Sequence, residues 1–139
     1  MDIKPSNILL ESGSLKVKLI DFGTAYQLTD DCQTLRGSRG TINFMSPECL
    51  RSEEDYLGKP SDVWSLGVTF YCLTSNVLPF QADSMFGLVN SISKGSYGFV
   101  NRVPGVNDRY CDVITSMLQL NPRDRTNISE VIDALNKIQ

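Results

Sequence analysis

The sequence lacks histidine entirely, and its four cysteines form no C-x-x-C pair. Zinc sites are built from closely spaced cysteines and histidines, so these absences argue against a zinc site. The cysteine spacings also give no disulfide framework, which favours free thiols in a reducing compartment. We therefore expect an intracellular, cytoplasmic protein.

Long apolar runs and an excess of positive charge are missing as well. The N-terminal residues MDIKPSN have no apolar stretch of the kind that a secretory signal needs, and the longest apolar run, residues 68–73, is too short to cross a bilayer. The 13 Lys and Arg against 16 Asp and Glu give a net charge of −3. An acidic protein is not attracted overall to nucleic acid or to an anionic membrane, so we expect neither as the main partner.

The first 40 residues predict a β-hairpin followed by a long loop. Residues 7–10 are apolar, residues 11–14 have the composition of a turn, and residues 15–20 alternate apolar and basic side chains, as a half-buried strand does. Residues 24–40 are polar and show no periodicity. Such a long loop inside a compact domain is usually functional or mobile.

From residue 46 onward the pattern is helical, so the predicted fold is mainly α with a small β-hairpin. Ser46 and Pro47 suit the cap and the first position of a short helix. Residues 62–73 are apolar on nearly every side, which predicts a buried helix beginning at Ser61 or Asp62. Three later helices are predicted: from Asp83 or Ser84 to Gly95, around residues 110–118, and from a capping box of Asn127 and Glu130 to Ile138.

Residues suited to phosphoryl transfer are concentrated near the start of the chain. A carboxylate can orient a hydroxyl and take its proton, and a cation can offset the charge of phosphates. Magnesium prefers carboxylate and amide oxygens. Asp2, Lys4, Asn7 and Asp21 supply these groups. Because a hairpin brings its two ends together, Asn7 and Asp21 can face one ion.

The sequence at these positions resembles the eukaryotic-type protein kinase family. The segment D-I-K-P-S-N, residues 2–7, resembles the second part of the catalytic loop H-R-D-x-x-x-x-N. Residues 21–23 match the D-F-G element, and residues 45–48, M-S-P-E, resemble the A-P-E element with Ser in place of Ala. Residues 62–67 resemble the start of the buried central helix. Residues 121–125, N-P-R-D-R, resemble the segment whose arginine pairs with the A-P-E glutamate. Matches in the family's order are far more specific than any one motif alone.

The resemblance implies a role for each residue near the catalytic loop. Asp2 would accept or orient the proton of the substrate hydroxyl, and Lys4, typical of the serine/threonine class, would sit beside the transferring phosphate of ATP. Asn7 and Asp21 would hold Mg²⁺. Thr41 would line the site where the substrate residue docks.

Other roles implied by the resemblance concern structure and regulation. Phe22 would pack beneath the site and help to set active or inactive geometry. Thr34 and Ser38 lie in the loop where kinases are often switched by phosphorylation, although a loop hydroxyl is also commonly just solvated. Arg36 and Arg39 could bind a phosphate in that loop, or could have no role there. Two further structural roles remain: an ion pair of Glu48 with Arg125, and Asp62 as an acceptor of backbone N–H groups or merely a helix cap.

The resemblance also implies that the chain is a partial kinase large lobe that begins at the catalytic loop. It divides the chain into residues 1–23 (catalytic loop, hairpin and D-F-G), 24–48 (activation segment) and 49–139 (helical subdomain). The small lobe and the first large-lobe helices would be absent, so an N-terminal lobe would be a missing partner. We expect the chain alone to be inactive and unstable, with apolar surface exposed on the hairpin and along one side of the central helix.

Three functional hypotheses follow. The first is a piece of a serine/threonine kinase, which transfers the γ-phosphate of ATP to a serine or threonine hydroxyl of a protein substrate. The second is a non-catalytic kinase-like helical module that docks partners. The third is a truncated gene product without independent activity. The presence of Asp2, Asn7 and Asp21 together argues against the third.

Overall fold

The computed structural model describes residues 1–30, 32–51, 54–97 and 106–138. It is mainly helical, with two small antiparallel sheets of two strands each. The strands are β1 (Ile8–Leu10), β2 (Val17–Leu19), β3 (Thr34–Leu35) and β4 (Tyr56–Leu57). The helices are α1 (Pro47–Leu50), α2 (Gly58–Ser75), α3 (Met85–Lys94), α4 (Asp108–Met117) and α5 (Ile128–Asn136). Two short 3₁₀ turns cover Pro5–Asn7 and Ile42–Phe44.

The predicted hairpin is formed by β1 and β2, but its strands are shorter than the sequence indicates. Ile8 lies opposite Leu19 in the ladder. The connection covers residues 11–16 and not only 11–14, because Glu11 N donates to Lys16 O at 2.9 Å and closes the turn there. Lys16 therefore belongs to the turn and not to the strand.

The second sheet was not predicted. β3 lies inside the polar segment that was assigned to a loop, and it pairs with β4 in the register Thr34 to Leu57 and Leu35 to Tyr56. Two residues are too few to show a strand period, so the sequence pattern carries no signal for them. The pairing ties the long loop to the chain directly before α2.

Helix α2 begins at Gly58, so the predicted start at Ser61 or Asp62 is wrong. The chain passes from β4 directly into the helix, and Pro60 lies in the first turn, where a missing N–H breaks no helical hydrogen bond. Asp62 therefore lies in the second turn, and the alternative that it caps the helix is also wrong.

The core is built around α2. Trp64 and Val68 are completely buried, and the Trp64 ring stacks on Phe80 with centroids 5.6 Å apart. Helix α4 packs closely at Gly67, where a Cβ atom would lie 2.9 Å from Met117 Cβ. A second group of buried side chains comes from α2, α4 and α5: Val63, Val113, Met117 and Val131.

The expected exposure of apolar surface is found on the hairpin but not along the central helix. Within α2 only Lys59 and Leu73 are exposed, so the prediction of an exposed side is wrong for this helix. The apolar side chains of the hairpin and its turn are exposed by 49% to 93%: Leu9, Leu10, Leu15, Val17 and Leu19.

Several predicted helix ends are confirmed. Ser46 Oγ accepts from Cys49 N at the start of α1, and Ser84, not Asp83, caps α3. Gly95 ends α3 in the left-handed conformation. The capping box of α5 is present, because Asn127 Oδ1 accepts from Glu130 N at 3.0 Å and Glu130 Oε2 accepts from Asn127 N at 2.9 Å.

All four cysteines are free thiols, as the spacings predict. None of the helices in the described ranges combines the length and apolarity needed to span a bilayer.

Candidate active site

Asp2 lies at the centre of a small hydrogen-bonded network. Its carboxylate accepts the backbone N–H of Thr41 at 2.9 Å and lies 2.6 Å from Lys4 Nζ. Lys4 Nζ also donates to Thr41 Oγ1 at 2.7 Å. The three residues form a closed triangle, which joins residues 2–7 to the chain around Thr41 although the two segments are far apart in sequence.

The charge of Asp2 is stabilised by this network. Burial raises the pKa of the carboxyl group, but hydrogen bonds from the Lys4 side chain and from Thr41, together with the Lys4 charge, outweigh burial and lower it. Asp2 is therefore an anion at neutral pH. It is suited to orienting a hydroxyl and is only a weak base.

Asn7 is held next to Asp2 by the turn that precedes β1. Pro5 fixes the first position of this turn, and Asn7 N donates to Lys4 O at 3.0 Å. The Asn7 side chain is buried, and its Nδ2 donates to Asp2 O at 2.9 Å and to Asp2 Oδ2 at 3.3 Å. Because the amide nitrogen faces Asp2, the amide oxygen is the atom left to bind a cation.

Asp21 is brought to Asn7 by the hairpin. Ile20 N donates to Asn7 O at 3.0 Å, directly beyond the ladder of β1 and β2, so the next residue lies at the same end of the sheet. Asp2, Asn7 and Asp21 line one small cleft. Asp21 has a φ of +60°, a conformation that is uncommon outside glycine and tends to occur at functional sites.

The position of Phe22 differs from the expected one. Its side chain is 69% exposed and does not pack beneath the site. Phe22 lines the same cleft as Asp21. It belongs to the apolar surface of the hairpin, for which the described residues provide no cover.

Asp62 lies close to the start of residues 2–7. Its Oδ1 is 3.3 Å from the backbone nitrogen of Met1. Thr69, two turns further along α2, reaches Ile3 O at 3.4 Å. Helix α2 therefore contacts the backbone on both sides of Asp2.

Thr34 and Ser38 have different surroundings. Thr34 is exposed in β3 and lines a pocket together with Met1, Arg36 and Arg39. Ser38 Oγ donates to the carbonyl of Cys49 at 2.8 Å, so this hydroxyl is held against α1. A regulatory role for either residue stays a prediction.

Glu48 and Arg125 form a buried bidentate ion pair. Arg125 Nη1 lies 2.6 Å from Glu48 Oε1, and Nη2 lies 3.0 Å from Oε2. The Arg125 side chain is 0% exposed, and its guanidinium lies 5.1 Å from the centroid of the Trp64 ring. The pair fixes α1, which follows the Thr41 segment, to the helical core.

Gly40 is a residue that the sequence indicated only as part of the pair Gly40 and Thr41, without a structural role of its own. Its φ is +102°, and a Cβ atom there would lie 2.5 Å from Met1 O and 3.3 Å from Asp2 Oδ1. Only glycine permits this approach. The one signal in the sequence is the position of Gly40 directly before Thr41.

The buried hydroxyls of α2 were also missed, because the helix reads as apolar on nearly every side. Ser65 Oγ donates to Phe44 O at 2.7 Å, and Ser46 Oγ lies 2.8 Å from Ser61 Oγ. The four-residue spacing of Ser61, Ser65 and Thr69 was the available signal.

The oxygen atoms at the cleft suit a magnesium ion that carries a nucleotide. Within the described ranges there is no group of three or more His, Cys, Asp or Glu side chains that could hold a metal on its own. Mg²⁺ is usually bound by one or two carboxylates together with substrate phosphates and water, and not by an all-protein cage. Asp21 and Asn7 fit that smaller set of donors.

Comparison with known protein sequences gives matches over almost the whole chain. A family model for the protein kinase domain matches residues 1–135. The chain is 39% identical over 134 residues to calcium/calmodulin-dependent protein kinase type II subunit delta of Oryctolagus cuniculus, a match that covers 94% of this chain and 25% of the relative. It is 36% identical over 135 residues to serine/threonine-protein kinase STK11 of Homo sapiens, covering 94% and 30%. It is 35% identical over 131 residues to mitosis inducer protein kinase cdr1 of Schizosaccharomyces pombe, covering 94% and 21%. The chain spans less than a third of the length of these relatives.

Proposed function

This chain belongs to the eukaryotic-type protein kinase family, and from that membership we propose that it carries the phosphoryl-transfer residues of a serine/threonine kinase. The reaction is transfer of the γ-phosphate of ATP to a serine or threonine hydroxyl of a protein substrate. We propose the division into residues 1–23, 24–48 and 49–139 as its catalytic loop with D-F-G, activation segment and helical subdomain.

The observation that carries the proposal is the triangle of Asp2, Lys4 and Thr41. A carboxylate that is 10% exposed is paired with an ammonium group and tied to the backbone of another segment. An arrangement of this kind holds a carboxylate in one orientation. Such preorganisation is the main contribution a protein can make to phosphoryl transfer.

Each residue of the cleft has a part in the proposed reaction. The substrate hydroxyl oxygen forms a bond to the γ-phosphorus, and the bond from that phosphorus to the β,γ-bridging oxygen breaks, releasing ADP. Asp2 orients the hydroxyl and receives its proton, and Lys4 offsets negative charge beside the transferred group. Asn7 and Asp21 would hold Mg²⁺, which when bound neutralises charge on the phosphates.

The choice of serine and threonine over tyrosine rests on Lys4 and on the pair Gly40 and Thr41. Lys4 stands two residues after Asp2, as in the serine/threonine class, and its contact with Thr41 Oγ1 supports a joint role at the docking site of the substrate residue. We propose phosphorylation of Thr34 as a regulatory event, because Arg36 and Arg39 line the same pocket.

Phosphoryl transfer from labelled ATP to serine, threonine and tyrosine peptides tests the proposal. Because the chain alone is expected to be inactive, a kinase N-terminal lobe is supplied with it in this assay. We then expect labelling of serine and threonine only, reduced by roughly 10²-fold or more in Asp2→Asn. Asp112→Asn is the matched control, since Asp112 is exposed on α4 and the change removes the same charge. Equal labelling by Asp2→Asn and the wild type, or labelling of tyrosine alone, would contradict the proposal.

A non-catalytic docking module is the second candidate, and the exposed apolar side chains of the hairpin favour it. Leu10 is 68% exposed and Leu15 is 93% exposed. Apolar surface of this kind commonly marks an interaction site. This alternative predicts no binding of Mg–ATP, together with a partner interaction that Asp2→Asn and Asp21→Asn leave unchanged.

A further inference from the structure

Helix α2 carries a row of three buried hydroxyl groups. Ser61, Ser65 and Thr69 follow one another at intervals of four residues, which places them on one face of the helix. They are 3%, 4% and 0% exposed. We call them the hydroxyl row. In a helix whose other buried side chains are mostly apolar, three adjacent buried hydroxyls need a reason, because each must find a hydrogen-bond partner.

Each member of the row contacts a different segment near the candidate site: Ser65 and Thr69 reach backbone carbonyls, and Ser61 reaches a side chain. Thr69 Oγ1 donates to Ile3 O at 3.4 Å, and Ile3 stands between Asp2 and Lys4. Ser65 Oγ donates to Phe44 O at 2.7 Å, in the short turn that directly follows Thr41.

The third contact lies at the start of α1. The hydroxyl oxygens of Ser61 and Ser46 are 2.8 Å apart, and Ser46 caps that helix. One helix face therefore contacts the backbone beside Asp2 and the backbone that follows Thr41.

A nearby hydroxyl in the same helix shows the ordinary behaviour of helical serine and threonine, to which the contacts of the hydroxyl row are an addition. Thr74 Oγ1 donates to Phe70 O at 2.9 Å and to Tyr71 O at 3.0 Å. Back-bonding of this kind to the preceding turn is common. Ser65 Oγ and Thr69 Oγ1 also bond to the preceding turn, at Ser61 O (3.2 Å) and at Ser65 O (2.9 Å), but each reaches a carbonyl outside the helix as well.

We propose that the hydroxyl row is a positioning device for phosphoryl transfer. Working from the rigid core helix, it sets the distance between the loop that carries Asp2 and Lys4 and the segment that carries Thr41. Ser65 and Thr69 are positioning residues, because they act through the carbonyls of Phe44 and Ile3. The chemical purpose rests on the proposed function, whereas the positioning itself is a property of the fold.

The amide of Thr41 reports on this positioning. Its N–H donates to Asp2 Oδ1 at 2.9 Å, so it is protected from exchange only while the two segments are held together. Loss of the Thr69 hydroxyl frees the Ile3 carbonyl and allows the loop to move away from Thr41. We therefore expect faster hydrogen exchange at the Thr41 amide, by roughly tenfold for one lost hydrogen bond.

Two substitutions at Thr69 separate the effect of the hydroxyl group from the effect of side-chain packing. Thr69→Val keeps the shape and loses the hydroxyl, whereas Thr69→Ser keeps the hydroxyl and loses a methyl group. Thr74→Val is the matched control, since it removes a hydroxyl that bonds within the helix. Amide exchange measured by NMR is expected to be accelerated at Thr41 in Thr69→Val, and to stay near the wild-type rate in Thr69→Ser and Thr74→Val.

The proposal is tested by comparing the exchange rate of the Thr41 amide among the variants. Acceleration at Thr41 that is as large in Thr69→Ser as in Thr69→Val would overturn the proposal, because packing would then be the cause. Uniform acceleration across α4 and α5, or failure of both Thr69 variants to fold, would also overturn it. If Thr69→Val alone does not fold, Ser65→Ala against Ser65→Thr gives the same comparison. Absence of phosphoryl transfer by the wild type when a kinase N-terminal lobe is supplied would refute the proposed function without changing the exchange result.

Discussion

The buried ion pair of Glu48 and Arg125 gives a sharp prediction about stability. All five N–H donors of the Arg125 guanidinium are used: two reach Glu48, one reaches Pro60 O, and the remaining two reach Gln119 O. The pair is almost dry, since the two side chains are 0% and 10% exposed. Glu48→Gln keeps the shape of the side chain but leaves the charge of Arg125 buried without its counter-ion.

The expected loss is large relative to the stability of a domain. Removing one partner of a buried ion pair costs roughly 3–5 kcal/mol, because the remaining charge stays out of water. Domains are typically stable by about 5–15 kcal/mol, so Glu48→Gln should lose a substantial fraction of the total. Arg125→Met should cost more than Glu48→Gln, because the carbonyls of Pro60 and Gln119 lose their donors as well.

A double-mutant cycle measured by urea denaturation tests this reasoning. Trp64 is the single tryptophan and lies against Arg125, so its fluorescence reports on unfolding at this place. The double variant should be more stable than the sum of the two single losses predicts, by about 2 kcal/mol, within the range found for contacting residues.

The control for this cycle is an exposed pair. Arg51 and Glu54 are 3.8 Å apart with side chains 58% and 67% exposed, and their neutralisation should cost less than about 1 kcal/mol. A loss below about 1 kcal/mol for Glu48→Gln, or strict additivity of the two single variants, would refute the argument from burial.

Three further predictions follow from the site and the hairpin. Gly40→Ala should destabilise the chain and abolish the contact between Asp2 and Thr41, because the new Cβ would meet Met1 O. The control is Gly13→Ala, since Gly13 has a φ of +75° but open space around it. This control should show only the smaller backbone cost in thermal unfolding. Because the pKa of Asp2 is lowered in the folded chain, its stabilising contribution is present above the ordinary aspartate pKa of about 4 and is lost as the pH falls through the lowered value. NMR in acid should therefore show the Thr41 amide protected until below about pH 4, and loss of protection near pH 6 would contradict this. Amides of β1 and β2 should exchange faster than those of α2, because the hairpin side chains are exposed while α2 is buried; equal protection would contradict that account.

The sequence predicted those parts of the fold that are determined by local chemistry. Ser84 and the capping box of Asn127 and Glu130 are found where the pattern indicates them, because caps satisfy backbone groups within one turn. The second sheet was missed because Leu35 and Tyr56 pair across a distance in sequence and each strand has only two residues. The start of α2 was missed because the cap rule favours Ser61 or Asp62, whereas the chain enters the helix directly from β4.

At the candidate site, the sequence predicted which residues lie close together but not how they are held. The order and spacing of the motifs indicate Asp2, Lys4, Asn7 and Asp21. The close approach at Gly40 depends on a contact with Met1 that no local pattern encodes. The packing of Phe22 beneath the site was expected from the resemblance alone. Phe22 is exposed because the described residues do not cover that part of the hairpin surface.

The central claim is that Asn7 and Asp21 form one cation site beside Asp2. Mn²⁺ can replace Mg²⁺ at oxygen ligands, and its unpaired electrons broaden the NMR signals of nearby residues. In a titration with Mn²⁺ and ATP, we predict broadening that is centred on Asn7 and Asp21, is lost in Asp21→Asn and is retained in the control Asp112→Asn. Broadening centred elsewhere, or equal broadening in Asp21→Asn and the wild type, would contradict the account.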